Sequence, residues 1–437
     1  MLGRIFETII RGKTTVLLAV ALALLAGGYA WTRLDIDAFP DATNLQVMVL
    51  TDAPGLAALD VERQVTYPVE LSMGGLPQVR QVRSISRAGL SQVVVVFEDS
   101  MDIYFARQLV HERLEAAARD LPPGFEPEMG PVSTGLGEVY QYTLESDRHD
   151  AMELRTLQDW LISPQLRTVP GVTEVNSFGG LVKQYHVEVL PDRLLKYGLT
   201  LPEIFAAVEV NNAGAGGGFI AKGWEQSYVR TLGLFRAPGD IGKIVLKTEA
   251  GTPVFLEDVA EIKLGPETRQ GAVTRDGKGE RVAGMAIMLK GSNSRDVVDR
   301  IKAKVASLVS RLPAGVSLDV FYDRTSLIRA CVSTMEYALS EGALAVSLAM
   351  FLLLWSLRAG LIVTLSILLS AGLTFLVMKA WGLSANLMSL SGLAIAIGVI
   401  ADGAIVVTEN TLRLLSQADR AGKSVAMVAA EAAREVA

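Results

Sequence analysis

Apolar residues gather in long uncharged runs near the two ends of the chain, and a mixed region of polar and apolar residues separates these runs. One run, Thr14–Trp31, lies close to the N-terminus, and three more follow late in the chain, at Gly342–Leu357, Ala359–Met378 and Trp381–Ala401. A helix needs about 20 apolar residues to cross a bilayer, so each run is close to the required length. The pattern therefore predicts four transmembrane helices, one early and three late.

The first run has the basic residues before it that a signal peptide would have, but its end is a poor cleavage site. That end reads Gly27–Trp31 (GGYAW), and Trp31 suits an aromatic anchor at the membrane surface. We therefore interpret this run as an uncleaved membrane anchor.

Basic residues predict the orientation of the helices. If the helices alternate in direction, the basic residues that flank them fall on one side of the membrane, with Lys379 alone on the other; they are Arg4, Arg11, Lys13, Arg358, Arg413, Arg420 and Lys423. Because such residues accumulate on the cytoplasmic side, the region between the first and second helices is extracytoplasmic. The predicted division is 1–32 for a cytoplasmic segment and the first helix, 33–335 for the folded extracytoplasmic region, 336–414 for helices two to four, and 415–437 for a cytoplasmic amphipathic segment, truncated before a fifth span.

The extracytoplasmic region carries the same plan of strands and helices twice. The first copy predicts strands at Leu45–Leu50, Gln78–Ser86 and Gln92–Phe97 and helices at Ala57–Met73 and Met101–Asp120. The second copy predicts strands at Glu138–Glu145, Thr173–Ser177 and Lys183–Leu190 and a helix at Leu154–Val169. The turn into the first strand of each pair repeats, because Leu76–Val82 matches Val169–Val175, 93 positions later. Two βαβ-type modules, each a small sheet with helices on one face, are the simplest α+β architecture.

Two further features follow the second copy. The glycine-rich segment Asn211–Gly218 (NNAGAGGG) and the strand-like Ser227–Leu234 interrupt the pattern. The segment predicts either a plain surface loop or an arm that reaches a neighbouring subunit, since glycine allows tightly turned backbone. A further helix, Arg295–Leu312, is predicted after the capping residues Asn293 and Ser294.

Composition and charge exclude several classes of function. The chain is 50% hydrophobic and 20% charged, and its formal net charge of −6 gives no reason to expect nucleic-acid binding. Its single cysteine, Cys331, excludes an internal disulfide framework and a CxxC metal site. The three histidines, His111, His149 and His186, have no metal-ligand spacing, and there is no P-loop, nucleophile elbow or HExxH motif. We therefore expect no enzyme activity and no cofactor.

Asp402 is the most informative residue, because it lies near the middle of an apolar span, where an ionised carboxylate is costly. A helical stripe of mostly small residues contains it and lets another helix approach closely: Ser391, Ala394, Gly398, Asp402, Ile405 and Glu409. A carboxyl group in such surroundings can alternate between protonated and ionised forms, which is the basis of a proton relay. Asp402 is the stronger candidate and Glu409 the weaker, and the alternative is a purely structural hydrogen bond between helices.

Acidic residues also cluster just after the first span, at Asp35, Asp37 and Asp41. They could gather cations electrostatically, but we interpret them as the solvated start of a strand.

Several motifs together resemble one transporter family. They are Leu34–Asn44 (LDIDAFPDATN), Val61–Glu70 (VERQVTYPVE), Leu154–Gly171, Lys183–His186 (KQYH), Asn211–Gln226, Tyr322–Thr325 (YDRT), and Asp402–Ala404 through Glu409–Asn410. The chain resembles the N-terminal half of a resistance-nodulation-division (RND) transporter, and most closely the heavy-metal efflux branch. The expected fold is an α+β membrane protein with four transmembrane helices and a large periplasmic insert of two ferredoxin-like βαβ porter modules and a docking hairpin.

The resemblance implies a function for the assembled protein. It implies a homotrimeric cation/proton antiporter in the bacterial inner membrane, surrounded by lipid, which exports heavy-metal cations through a periplasmic adaptor (membrane fusion) protein and an outer-membrane channel. Asp402 would relay protons. A docking segment at about 205–260, with Asn211, Asn212, Gly216, Gly217 and Gly218, would contact the adjacent subunit.

The metal stays open, and so do two alternative functions. Zinc- and cobalt-type members have an Asp six positions before the relay Asp, where this chain has Ala396, while copper- and silver-type members use methionines on this helix, where only Met388 is present. The alternatives are an exporter of organic compounds and a non-transporting receptor or scaffold fragment.

Overall fold

The computed structural model describes residues 12–37, 39–214, 216–230, 233–249, 251–269, 271–354, 356–418 and 425–436. Arg4, Arg11, Arg420 and Lys423, on which the predicted orientation partly depends, lie outside these residues. The described part of the chain contains two sheet-and-helix modules, a smaller unit inserted into the second module, and long apolar helices near both ends.

The first module is one continuous stretch of chain. Its strands are β1 Gln46–Asp52, β2 Val79–Arg87, β3 Leu90–Phe97 and β4 Pro127–Met129, and they form an antiparallel sheet in the order β2-β3-β1-β4. Its helices are α2, made of Ala58–Val61, a wider π turn at Glu62–Thr66 and Tyr67–Ser72, and α3, Ile103–Ala117. Both helices pack on the sheet through one apolar core that includes Val47, Val95, Val65 and Val110. Three of these strands and both helices agree with the sequence prediction to within a few residues, whereas β4 was not predicted.

The second module has the same connectivity but is formed by two separate stretches. Its strands are β5 Glu138–Ser146, β6 Val172–Phe178, β14 Glu280–Met288 and β15 Val316–Asp323. A short strand at the end of the insert, β13 Val273–Thr274, pairs with the first residues of β14. Its helices are α4, made of Ala151–Leu157, a π turn at Gln158–Ile162 and Ser163–Arg167, and α9, Ser294–Val309. The four main strands lie in the order β6-β14-β5-β15, with β14 between β6 and β5. Asn293 caps α9, as predicted, by accepting the backbone N–H of Asp296.

The predicted strand pair of the second module is wrong. Strand β7, Lys183–Val189, does not pair with β6 but with β12, Ala260–Pro266. The partner of β6 is β14, which lies about a hundred residues later in the chain. The repeat at Val169–Val175 correctly marks the entry into β6, but the tight hairpin turn that follows β2 in the first module is replaced here by an insert.

The insert, residues 179–279, builds a small unit of its own. Besides β7 and β12 it contains α5 Pro191–Tyr197, α6 Leu201–Asn211, β8 Gly216–Lys222, β9 Glu225–Arg230, α7 Pro238–Gly242, β10 Val245–Glu249, β11 Thr252–Phe255 and α8 Leu256–Val259. Ile204, Ile241, Val254 and Leu256 lie in its apolar core. The β8–β9 hairpin projects from this core with every residue exposed.

The apolar helices are α1 Lys13–Thr32, α10 Arg324–Leu354, α11 Leu357–Ala380 and α12 Leu387–Ala418, followed by the short helix α13 Val425–Val436. Three described segments are long and apolar enough to cross a membrane: Thr14–Thr32, Arg358–Ala380 and Leu387–Ser416. The remaining predicted span, Gly342–Leu357, falls on the C-terminal part of α10 and on Trp355, which lies outside the described residues. It stays a prediction.

Helices α1 and α11 approach closely at a pair of glycines. A Cβ atom added to Gly27 would lie 2.5 Å from the Cα of Gly372, so only glycine fits at this crossing. One turn further along, the rings of Trp31 and Phe375 stack at 4.7 Å between centroids. Trp31 therefore packs against a second helix.

Candidate functional site

Helix α12 carries the predicted relay residues on the face that its described neighbours leave open. Its packed face includes Leu393 and Ala401, which contact Val363 and Ile367 of α11 in one buried cluster. Asp402 and Glu409 lie on the opposite side and are exposed. The sequence places Asp402 in a protein interior, whereas among the described residues this carboxylate faces outward.

The stripe that contains Asp402 is open at most of its positions, although Ile405 packs against the cluster with α11. None of its six residues is buried, and a Cβ atom added to Gly398, or to Gly403 beside Asp402, would meet nothing within 4 Å. Small residues on an exposed helical face leave room for a second helix to approach the backbone closely.

Helix α13 holds the other end of α12. The side-chain amide of Asn410 donates to the carbonyl oxygen of Ala432 at 3.1 Å and to the carboxylate of Glu435 at 3.0 Å. Arg413 lies 3.5 Å from the same carboxylate. The predicted amphipathic segment is helical over Val425–Val436, and this helix packs against Asn410 and Arg413 of α12.

A polar junction lies where α1, α12 and the second module meet. Its central segment, Asp35–Asp37, leaves α1 and pairs with the backbone of Ala385. The carboxylate of Asp37 accepts hydrogen bonds from the guanidinium of Arg324 at 2.8–2.9 Å and from the hydroxyl of Ser294 at 2.7 Å. Arg324 also donates to the carbonyl oxygen of Leu136 and is only 4% exposed.

This junction corrects one interpretation of the sequence. Asp37 is not part of a solvated strand start, because its carboxylate forms an ion pair with a buried arginine. Asp35 likewise accepts a hydrogen bond from the amide of Asn293 at 2.9 Å, whereas Asp41 is exposed and accepts only a local one from the N–H of Thr43. The two partners of this ion pair lie in two sequence motifs, Leu34–Asn44 and Tyr322–Thr325, but the sequence does not indicate that these motifs contact each other.

The residues on either side of Arg324 anchor the start of α10. Asp323 accepts hydrogen bonds from Lys302 of α9 at 2.5 Å and from the hydroxyl and N–H of Thr325 at 2.6 and 2.9 Å. Partial burial alone would raise the pKa of Asp323, but these hydrogen bonds outweigh it and hold the pKa below its ordinary value. Strand β15 continues into α10 without a loop, so this ion pair fixes the helix directly to the second module.

The predicted docking residues lie at the base of the β8–β9 hairpin. Asn211 ends α6, and the side chain of Asn212 accepts a hydrogen bond from the N–H of Phe235 at 3.2 Å. Gly216, Gly217 and Gly218 open β8, where the pairing register shifts, and Gly218 has φ +78°. Ala215 of the same segment lies outside the described residues. The strand predicted at Ser227–Leu234 is Glu225–Arg230.

No cluster of three or more potential metal ligands occurs among the described residues. His111 lies on α3 beside Glu115, and His149 precedes α4 beside Glu153. His186 lies in β7, with its ring against the backbone of Gly265 in β12.

Comparison with known proteins gives consistent matches. The model of the AcrB/AcrD/AcrF family matches residues 5–437. Protein HelA of Legionella pneumophila and the cobalt-zinc-cadmium resistance protein CzcA of Cupriavidus metallidurans are each 44% identical, over 96% of this chain and 40% of their own length. The cation efflux system protein CusA of Escherichia coli is 39% identical, over 95% of this chain and 40% of its own length.

A solved structure also matches over nearly all of the chain. The crystal structure of a heavy metal efflux pump covers 99% of this chain at 36% identity with a TM-score of 0.88, and the match spans 43% of the pump. The chain thus spans about 40% of the length of the curated relatives that it matches. The match to the family model over residues 5–437, the relatives and the shared fold together show that the chain belongs to the AcrB/AcrD/AcrF family of resistance-nodulation-division transporters.

Proposed function

We propose that this chain is part of a proton-driven exporter of heavy-metal cations in the inner membrane. The relatives that support this are named for cation efflux and for cobalt, zinc and cadmium resistance. In the complete pump, four helices of this chain cross the membrane, and the two modules form porter subdomains of the ferredoxin-like type in the periplasm. Three copies of the pump assemble with a periplasmic adaptor and an outer-membrane channel.

The observation that carries the proposal is the position of Asp402. A carboxylate in an apolar helix is costly to maintain and usually serves ion or proton movement. It lies in a stripe of mostly small residues that is open to a further helix. When that helix covers the stripe, Asp402 is removed from lipid and water and can bind and release a proton as the helices rearrange. Glu409, two turns further along, is the secondary candidate.

The test is replacement of Asp402 in the complete pump. Asp402→Asn removes the titratable proton but keeps the shape, so we expect proton-driven metal export to fall by about 100-fold or more, with unchanged membrane levels. Asp402→Glu is the matched control, because it keeps an ionisable group, and we expect Glu409→Gln to have a smaller effect. Resistance and vesicle transport should be measured for copper and silver as well as for zinc, cobalt and cadmium.

Other outcomes would favour the alternatives. Full metal resistance in Asp402→Asn would exclude the relay role. Efflux of organic dyes without metal flux would identify an exporter of organic compounds. Absence of any flux from the wild-type pump, together with loss of stability in Asp402→Asn, would favour a receptor or scaffold.

The hairpin supports the proposed trimer. Phe219, Trp224 and Tyr228 are all largely exposed, and Trp224 is wholly so. Aromatic side chains of this kind bury against partner surfaces in interfaces. In the detergent-solubilised pump, we expect the double variant Phe219→Ser/Trp224→Ser to shift the mass measured by light scattering from trimer to monomer. A trimer of unchanged stability would exclude the hairpin as the docking arm.

A further inference from the structure

We propose that the segment Asp35–Asp37 is a mechanical junction that ties the helix carrying Asp402 to the second module, with Arg324 as the positioning residue that holds it. The inference deepens the proposed transport function and rests on it. Its basis is the contact between two separate motifs, Leu34–Asn44 and Tyr322–Thr325, neither of which the proton-relay proposal uses.

The backbone of the junction is bound to the start of α12. The N–H of Asp37 donates to the carbonyl oxygen of Ala385 at 3.1 Å, and the N–H of Ala385 donates to the carbonyl oxygen of Asp35 at 2.8 Å. Ile36 and Ala385 are buried together with Ile328 of α10 and Leu390 of α12. Asn386 caps α12 by accepting the N–H groups of Met388 and Ser389, both at 3.0 Å. A shift of α12 along its axis must therefore move the junction.

The side chains of the junction are bound to the second module. Asp37 accepts from Arg324, the first residue of α10 directly after β15, and from Ser294 at the first turn of α9. Asp35 accepts from Asn293, which caps α9. Further along the motif Leu34–Asn44, the carbonyl oxygen of Thr43 accepts a hydrogen bond from Lys290 at 3.1 Å. The segment thus contacts α9 of the second module and the residue at which β15 passes into α10.

Burial makes this contact persistent. Arg324 is 4% exposed, and a buried guanidinium is strongly destabilising once it loses its carboxylate. Separation of the junction from the second module would leave the buried guanidinium of Arg324 without its carboxylate, so the two move as one unit. The connection from the second module through Asp35–Asp37 differs from the direct continuation of β15 into α10, because it ends on α12, the helix that carries Asp402.

The test separates movement from cargo binding. In the complete pump, Arg324→Gln combined with Asp37→Asn replaces the ion pair by a neutral amide pair and leaves no unpaired buried charge. We expect the maximal rate of metal export to fall about tenfold, in the range of measured coupling between sites. The KM for metal should stay within about twofold, because no junction residue binds cargo. Arg324→Lys keeps the charge and should restore part of the rate. Asp41→Asn changes an exposed acid of the motif Leu34–Asn44 outside the junction, and this matched control should leave the rate unchanged.

A distance measurement tests the junction independently of transport. Spin labels at Ser307 of α9 and Met388 of α12, in a Cys331→Ser background, should give one narrow distance distribution in the wild type and a broadened one in the double variant. A narrow distribution with an unchanged export rate would overturn the inference. If the wild type exports no metal but the double variant broadens the distribution, the proposed function fails and the junction stands. If the double variant does not reach the membrane, the same distribution measured in Arg324→Lys decides: an unchanged width there overturns the junction.

Discussion

The two modules share one fold but differ in how the chain supplies it. Across the sheet, the strand order is β2-β3-β1-β4 in the first module and β6-β14-β5-β15 in the second. Strand β14 therefore takes the position of β3, and β15 takes that of β4. Between β2 and β3 the chain turns at Ala88–Gly89, whereas between β6 and β14 it passes through the whole insert. A hairpin turn at the surface tolerates such an insertion, because its ends are already close together.

Each module has one helix that contains a π turn, and in both modules this turn carries a polar side chain that hydrogen-bonds to the sheet. Thr66, in the π turn of α2, hydrogen-bonds the hydroxyls of Ser91 and Ser86, each at 2.8 Å. Gln158, in the π turn of α4, accepts from the hydroxyl of Tyr142 at 3.0 Å. Both π turns precede a proline, Pro68 or Pro164, that lies near the start of the last helical part. Proline lacks an N–H and disturbs the preceding turn, so the same local cause directs one polar side chain onto each sheet.

The largest expected difference is in autonomous folding. Residues 45–130 contain every strand and helix of the first module, and we expect this fragment to unfold cooperatively. Residues 137–182 contain β5, α4 and β6, but β5 and β6 do not touch because β14 lies between them. We expect this second fragment to be unfolded and residues 137–323 to restore folding, as measured by circular dichroism during urea titration. A cooperative transition in fragment 137–182 would contradict the strand order.

The next effect concerns a glycine that only the second sheet requires. A Cβ atom on Gly284 would lie 2.3–2.7 Å from atoms of the Tyr142 ring, whereas the first sheet pairs Val93 with Val49 in its central strands. We expect Gly284→Ala to lower the free energy of unfolding by about 2–3 kcal/mol, typical of overpacking.

Gly239→Ala is the matched control for this glycine, because Gly239 is exposed and no atom lies within 4 Å of the added Cβ. Chemical denaturation of fragment 137–323 measures the control and the variant on the same scale. Equal stability of the two variants would show that the Tyr142 ring moves aside without cost.

The buried hydrogen bonds give a smaller contrast. Gln158→Leu leaves the hydroxyl of Tyr142, a fully buried residue, without its partner and should cost about 2 kcal/mol, while adding Tyr142→Phe should recover most of it. Thr66→Val should cost about 1 kcal/mol, because its neighbours Ser86 and Ser91 are small and Ser86 is not buried. A double-mutant cycle measures the coupling free energy of Gln158 with Tyr142 in the second module and of Thr66 with Ser91 in the first. If the losses from Gln158→Leu and Tyr142→Phe simply add, the two side chains are not coupled.

These contrasts also show how far the sequence could predict the structure. Short-range periodicity predicts both helices and three strands of the first module, including the β2–β3 hairpin, but it does not predict the short strand β4. The entry to β6 was found through its resemblance to the entry to β2, but the pairing of β6 with β14 depends on a contact between residues about a hundred positions apart. The same limit hid the Asp37–Arg324 pair, whose members lie 287 positions apart. Asp402 was found because a charge in an apolar helix is a local signal, whereas the side of α12 that it occupies depends on packing against α11.

The smallest expected effect is a dependence on pH that only the second module shows. Asp323 ends β15 with hydrogen bonds from Lys302 and Thr325 that hold its pKa below the ordinary value, whereas β4 of the first module ends at Met129 and Gly130. A carboxyl with a lower pKa in the folded state contributes stability above its unfolded pKa of about 3.9. That contribution should be lost as the pH falls from there through the folded value. In fragment 137–330, which includes Thr325, we expect Asp323→Asn to remove about 1 kcal/mol or less at pH 7, since the pair is partly exposed. The wild type and the variant should converge in stability as the pH falls through the folded pKa of Asp323. A constant difference between them across this pH range would mean that the asparagine disturbs packing, and that the ion pair at the start of α10 contributes nothing to the stability of the second module.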